Sequence, residues 1–224
     1  MTDASFRPLA VLFDLDGTLL DTFPAVTRAW NAAMEPILGR AFDPIEVAAH
    51  FGPPDEPMLL AAFPDSLSAS EREAAIERYF AEYCLALAQI KPFEGIESLL
   101  DWLGARALPM GIVTGKGRRA TDVTLAHFGW TDRFEWVVTG SEVALPKPDP
   151  EGVRRVAREL HMEAANCVFI GDSPADIGAA QNAGMLSVVA GWHDFYLEEL
   201  RHLSPDFWPQ SPFELQRWFE AHLQ

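Results

Sequence analysis

Lysine is scarce in this chain: Lys91, Lys116 and Lys147 are the only three. Arginine supplies the rest of 17 basic side chains, set against 33 acidic ones, for a formal net charge of -16. Such a balance disfavours nucleic acid, whose binders displace counterions with basic surface. It disfavours an anionic membrane surface for the same reason. A small anionic ligand stays admissible, because charges are screened over ~8 Å and local cations decide. Cysteine is rarer still. Cys84 falls in an amphipathic helical pattern and Cys167 opens an apolar strand pattern, so two buried thiols are expected rather than a disulfide framework. No apolar run approaches the ~20 residues of a membrane span, and no signal peptide is read ahead of the first strand. A soluble cytoplasmic protein is expected, without nucleic-acid or membrane partners, as a monomer or homodimer.

What is present is apolar residue, 49% of the chain over 224 residues, enough for a sizeable core. Five short apolar runs predict buried parallel strands: Leu9 to Phe13, Met110 to Thr114, Trp136 to Thr139, Val168 to Ile170 and Leu186 to Ala190. Between the later runs lie helical patterns. Ile96, Leu99, Leu100 and Leu103 form one stripe, and Thr121 to Phe128 and Glu151 to Leu160 give two more. Asp149-Pro150 and Ser173-Pro174 both resemble an N-cap followed by proline at the first helical position, and Gly184 a helix stop. Alternation of strand and helix predicts an α/β doubly wound parallel sheet.

Residues 21–90 interrupt that alternation. They contain no convincing strand. Ile76, Tyr79, Phe80, Tyr83, Cys84 and Leu87 recur at helical spacing, and Ser68-Ala69-Ser70-Glu71 fits a capping box at that helix's start. Pro53, Pro54, Pro57 and Pro64 punctuate the middle. A helical insertion placed after the first strand is expected, dividing the chain into a core segment 1–20, the insertion 21–90 and a second core segment 91–224. A turn-rich connection from Ser204 to Pro212 leads to a last helix presenting Leu215, Trp218, Phe219 and His222 on one face.

The chemistry concentrates in four segments at or just past strand ends. The first is Asp14-Leu15-Asp16-Gly17-Thr18. Side chains alternate along a strand, so Asp14 and Asp16 share a side while the chain stays extended, and Gly17 permits a sharp exit turn. The others are Val113-Thr114-Gly115-Lys116, Pro146-Lys147-Pro148-Asp149-Pro150 and Ile170-Gly171-Asp172-Ser173-Pro174-Ala175-Asp176. Carboxyl ends of strands are where open α/β sheets bind ligands. Each segment alone has a plain alternative: a strand end, a solvated loop lysine, or a capping-box acid for Ser173. All four together are hard to explain that way.

These four segments, over about Leu9 to Ala190, resemble the haloacid dehalogenase superfamily, and within it the phosphoglycolate phosphatase group with a helical cap. The resemblance implies a Rossmann-like core with the cap inserted after the first strand. It implies hydrolysis of a small phosphomonoester, phosphoglycolate-like or a sugar phosphate, by way of an aspartyl-phosphate. Asp14 would be the nucleophile and Asp16 the acid and base. Thr114, with backbone N–H groups after Asp14 and near Gly115, would hold phosphoryl oxygens, and Lys147 would neutralise charge. Asp14, Asp172 and the backbone carbonyl of Asp16 would ligate Mg²⁺, with Asp176 holding a metal-bound water or orienting Lys147. Charge favours that ion. A carboxylate meeting a phosphate is repelled by about 1 kcal/mol per charge pair at 4 Å in water and ~4 kcal/mol at an effective dielectric of 20. Hard oxygen ligands suit Mg²⁺, and these segments lack the His or Cys that zinc favours.

Retained Asp16 disfavours the dehalogenase branch, and the absence of lysine from 21–90 disfavours Schiff-base phosphonate cleavage. A phosphomutase of the β-phosphoglucomutase type stays open, as does, more remotely, a non-catalytic phosphate-binding module. Selectivity is expected from the insertion. Arg28, Arg40, Arg72 and Arg78 are candidate anion contacts there, Phe51-Gly52-Pro53-Pro54 a candidate ligand loop, and Arg118 and Arg119 candidate flanks of the entrance. Thr114-Gly115-Lys116 departs from the group's common form, in which Asn follows Thr, which weakens the case for phosphoglycolate itself.

Overall fold

The computed structural model describes residues 10–222. Strand β1 (Ala10–Phe13) is followed by four helices, α1 (Phe23–Leu38), α2 (Pro44–Ala48), α3 (Asp55–Ala62) and α4 (Ala69–Leu87). Then come α5 (Ile96–Gly104), β2 (Met110–Val113), α6 (Arg118–His127), β3 (Trp136–Val138), α7 (Glu151–Glu159), β4 (Cys167–Gly171), α8 (Pro174–Ala183), β5 (Leu186–Val189), α9 (Leu197–Leu200) and α10 (Pro212–His222). The five strands form one parallel sheet in the order β3-β2-β1-β4-β5. This is the expected α/β, Rossmann-like layout. Leu9 lies outside the described residues.

The apolar runs are strands because both faces of the sheet are covered. Val11, Phe13, Ile112 and Ile170 face one core cluster with α5 and α10, while Ala10, Leu12, Val113 and Phe169 face another with α7 and α8. A fully buried large side chain contributes about 1.5–3 kcal/mol, so the alternation along these short strands fixes their register. The order reverses between β1 and β4, which opens a crevice at their carboxyl ends.

Helices α1 to α4 have a core of their own, centred on Trp30, Met34, Tyr79 and Tyr83 and continuing onto Ala120 of α6. Helix α4 begins at the expected capping box: Ser68 accepts from the Glu71 N–H and Glu71 accepts from the Ser68 N–H. Tyr83 and Thr124 exchange a hydroxyl hydrogen bond of 2.9 Å, tying α4 to α6.

Three local expectations need correction. Helix α6 starts at Arg118 rather than Thr121, because Gly117 is its extended N-cap residue. Helix α7 has Pro150 itself at the N-cap, and Asp149 accepts from the Glu151 N–H. Cys84 is exposed, unlike Cys167: the apolar stripe of α4 is narrower than the periodicity implied. Burial pushes the Cys167 thiol up to about 11. One thiol is therefore expected to react with an aromatic disulfide reagent at pH 8 in the native protein, and two in denaturant. Two fast native thiols would contradict the packing of β4. No helix among the described residues is long and apolar enough to cross a membrane.

Candidate active site

The crevice between β1 and β4 gathers the four segments. Asp14 follows β1 directly, its N–H donating to the Ile170 carbonyl at 2.8 Å. Gly17 has φ +79° and its N–H donates to the Leu20 carbonyl at 2.7 Å, closing a tight turn. A Cβ on Gly17 would fall within the Asp172 carboxylate, so glycine is required there for both reasons. Asp172 follows β4, and its Oδ2 lies 2.8 Å from His193 Nδ1. Helix α8 starts with Ser173 as N-cap, Pro174 in its first turn and Asp176 accepting from the Ser173 N–H, and it stops at Gly184, φ +78°. Asp176 thus completes its capping box while its other oxygen takes a 2.6 Å bond from Lys147.

Lys147 also donates to Asp14 Oδ1 at 2.8 Å and to the Val113 carbonyl at 3.2 Å. Burial opposes its charge, but Asp14 and Asp176 outweigh burial and hold its pKa above the usual lysine range. Asp14 is pushed well above the carboxylate range by burial, with Asp176 and Asp172 adding like charge against the pull of Lys147. Asp172 is raised by burial, although His193 opposes this. One oxygen from each of Asp14, Asp172 and Asp176 falls within 4.8 Å of the others. Three buried carboxylates served by one ammonium group call for further positive charge. The donor set, all hard oxygen, fits a divalent cation of the Mg²⁺ kind.

Thr114 is buried at the end of β2, its N–H bonded to Val138 and its hydroxyl to the Lys116 N–H. Asp16 faces a second set of groups. The Thr22 hydroxyl donates to one of its oxygens, and the Lys116 ammonium lies 3.2 Å from the other. Lys116 is itself buried, 4.9 Å from the Tyr83 ring centre. Against burial, Asp16 and Tyr83 keep its pKa above the lysine range. Asp55, at the start of α3, accepts 2.8 Å bonds from Tyr79 Oη and from the Gly117 N–H. The residues after Thr114 are therefore clasped by α3 and α4.

Asp14, Asp16, Thr114, Gly115, Lys147 and Asp172 all line one cavity of about 270 Å³, together with Phe51, Gly52 and Pro53. Asp176 stands behind it, against Lys147. The arginines proposed as anion contacts do not line it. Arg28 is paired with Glu82, Arg40 with Glu46, Arg119 with Glu77 and Arg118 with Glu142, while Arg72 donates to the Leu67 and Pro64 carbonyls. Arg78 is exposed and outside the cavity. Local carboxylates claim most of these guanidinium groups, as they do on many acidic surfaces.

Sequence reasoning placed Lys116 in its segment without giving it a role, and it missed Thr22, Asp55, His193, Phe195 and Tyr196; all six line the cavity.

A model of the family described as haloacid dehalogenase-like hydrolase matches residues 11–190. The chain belongs to the haloacid dehalogenase-like hydrolase family, and it is an enzyme of the phosphatase kind. It is 33% identical to a phosphoglycolate phosphatase of Xylella fastidiosa, over 91% of this chain and 95% of that protein. It is 35% identical to an N-acetylmuramic acid 6-phosphate phosphatase of Pseudomonas aeruginosa, over 80% and 79%. Among solved structures it resembles a β-phosphoglucomutase from Clostridium difficile, at TM-score 0.75 and 25% identity over 96% and 97% of the two chains.

Proposed function

We propose that the protein hydrolyses a small phosphomonoester, phosphoglycolate-like or a sugar phosphate, in a Mg²⁺-dependent reaction through a covalent aspartyl-phosphate. The observation that carries this reading is the buried set of Asp14, Lys147 and Asp172 on one cavity, with Asp176 behind them against Lys147. Asp14 attacks phosphorus, the phosphorus–oxygen ester bond breaks, and Asp16 gives its proton to the departing alkoxide. Asp16 then takes a proton from the water that attacks the phospho-aspartate, which releases inorganic phosphate and restores Asp14. Thr114 and the N–H groups near Gly115 donate to phosphoryl oxygens, and Lys147 neutralises charge that grows as the bond breaks. Thr22 and Lys116 fix the orientation of Asp16 between these two proton transfers.

Asp14, Asp172 and the Asp16 carbonyl, with Asp176 behind them, are the groups that would hold Mg²⁺. The ion supplies charge neutralisation of the carboxylates and of the phosphoryl group. Residues 21–90 act as a cap over a core formed by 1–20 and 91–224. The reading rests on the Asp55 and Tyr83 links to the segment 114–124. Phosphate release from a panel of phosphorylated metabolites is expected to stop with EDTA and return with Mg²⁺. Turnover indifferent to both would remove the ion from the mechanism.

The likeness to a β-phosphoglucomutase favours a second reading, in which a bound sugar phosphate rather than water receives the phosphoryl group. Conversion of a hexose 1-phosphate to its 6-phosphate without release of inorganic phosphate would establish it.

A further inference from the structure

The cavity pairs a strongly charged floor with an uncharged wall. Its titratable acidic and basic lining among the described residues is five aspartates, Asp14, Asp16, Asp21, Asp55 and Asp172, two ammonium groups, Lys116 and Lys147, and the His193 imidazole, which is itself paired with Asp172 at 2.8 Å. Both lysines are already paired, Lys147 with Asp14 and Asp176 and Lys116 with Asp16. A second anionic group on a substrate would meet no uncommitted cation and a net negative surface.

The wall is aromatic and comes from three separated segments. Phe23 of α1 packs edge-to-face on Phe51, 5.5 Å between ring centres, and on Phe195, 5.3 Å. Phe195 in turn meets Tyr196 at 4.7 Å. Phe51 and Phe195 are 38% and 40% exposed although they line the cavity. Exposed aromatic surface gathered at a concave site is characteristic of ligand contact. With the Val26 and Met58 side chains beside it, this wall offers mainly carbon surface, the Tyr196 hydroxyl being the one polar side-chain group among these residues.

We infer that the site selects phosphomonoesters whose alcohol half is uncharged and presents a broad carbon face, an aryl ring or the C–H face of a sugar, and that Phe51 and Phe195 read that face. The inference rests on the phosphatase reading above, since it places the phosphoryl group at Asp14 and the rest of the molecule on the wall, and it narrows that reading away from phosphoglycolate-like esters. Phosphoglycolate, with its carboxylate close to the ester, is the wrong shape and charge for such a wall.

The test compares phenyl phosphate with phosphoglycolate in the native protein and in Phe51→Ala and Phe195→Ala. The half-exposed rings make both variants tolerable to the fold. The ratio of kcat/KM, phenyl phosphate over phosphoglycolate, is expected to exceed one and to fall about tenfold or more in each variant. A preference for phosphoglycolate, or a ratio unmoved by both substitutions, would overturn the inference. If neither ester is hydrolysed, the metabolite panel above judges the phosphatase reading, and calorimetry with phenylphosphonate and phosphonoacetate judges the wall separately. Tighter phenylphosphonate binding that weakens tenfold in the variants upholds it; equal or absent binding overturns it.

Discussion

Asp14→Asn is expected to lower phosphate release by about four orders of magnitude or more, because in the proposed mechanism the attacking carboxylate is replaced by an amide of nearly the same shape. The fold should not suffer. The amide carbonyl can still accept the Lys147 bond now made to Oδ1, and Lys147 keeps Asp176 as an ion partner. Stability in the absence of metal should hold or rise. Burial and the neighbouring carboxylates raise the Asp14 pKa, so its ionised form disfavours the folded state. For an acid raised on folding, stability falls as pH rises from the unfolded value through the folded one. A neutral side chain removes that loss, and the benefit should be larger at pH 8 than at pH 5. Thermal melts at the two pH values, taken in EDTA, measure it. Intact-protein mass spectrometry after mixing with substrate should show a phosphorylated species for the native chain and none for the variant. Turnover retained in Asp14→Asn would refute the covalent route, whatever the melts show.

The sheet was legible in the sequence because each strand is a short run of Val, Ile, Leu or Phe that ends in a small or acidic residue. Burial on both faces leaves such runs no other stable use. Asp14, Thr114, Lys147 and Asp172 were legible for a related reason: each stands at or near the end of a run or between prolines, where a local pattern marks it. The neighbours that shape the site carry no such mark. His193 meets Asp172 across 21 residues, Asp55 meets the Gly117 N–H across 62, and Phe195 meets Phe23 only because the loop after β5 returns over α1. Pairings of that range depend on tertiary packing, which local periodicity does not encode. The arginines misled for the opposite reason. Guanidinium chemistry suits anions, but a chain with 33 acidic side chains supplies closer partners for it than a ligand does.

Gly17→Ala should be nearly as damaging to activity as loss of the nucleophile, and unlike Asp14→Asn it should also weaken the fold. Two costs coincide at this position. A residue with a Cβ held at φ +79° loses roughly 1–2 kcal/mol. The added carbon would also overlap the Asp172 carboxylate, so Asp172 must shift away from the position in which His193 Nδ1 now meets it at 2.8 Å. Loss of a buried charge-assisted hydrogen bond adds about 1.5–3 kcal/mol. Together these predict about 2.5–5 kcal/mol, equivalent to roughly a 10 °C fall in Tm for a chain of this size. Displacing Asp172 also pulls apart the three carboxylates that meet within 4.8 Å, so the Mg²⁺ concentration needed for half-maximal thermal stabilisation should rise at least tenfold. Calorimetric melts across a Mg²⁺ titration report both effects without relying on turnover. A variant that melts like the native protein and responds to the same Mg²⁺ concentrations would mean that Gly17 and Asp172 are not in the contact described here, and with them would go the turn that sets Asp14 and Asp16 on the cavity.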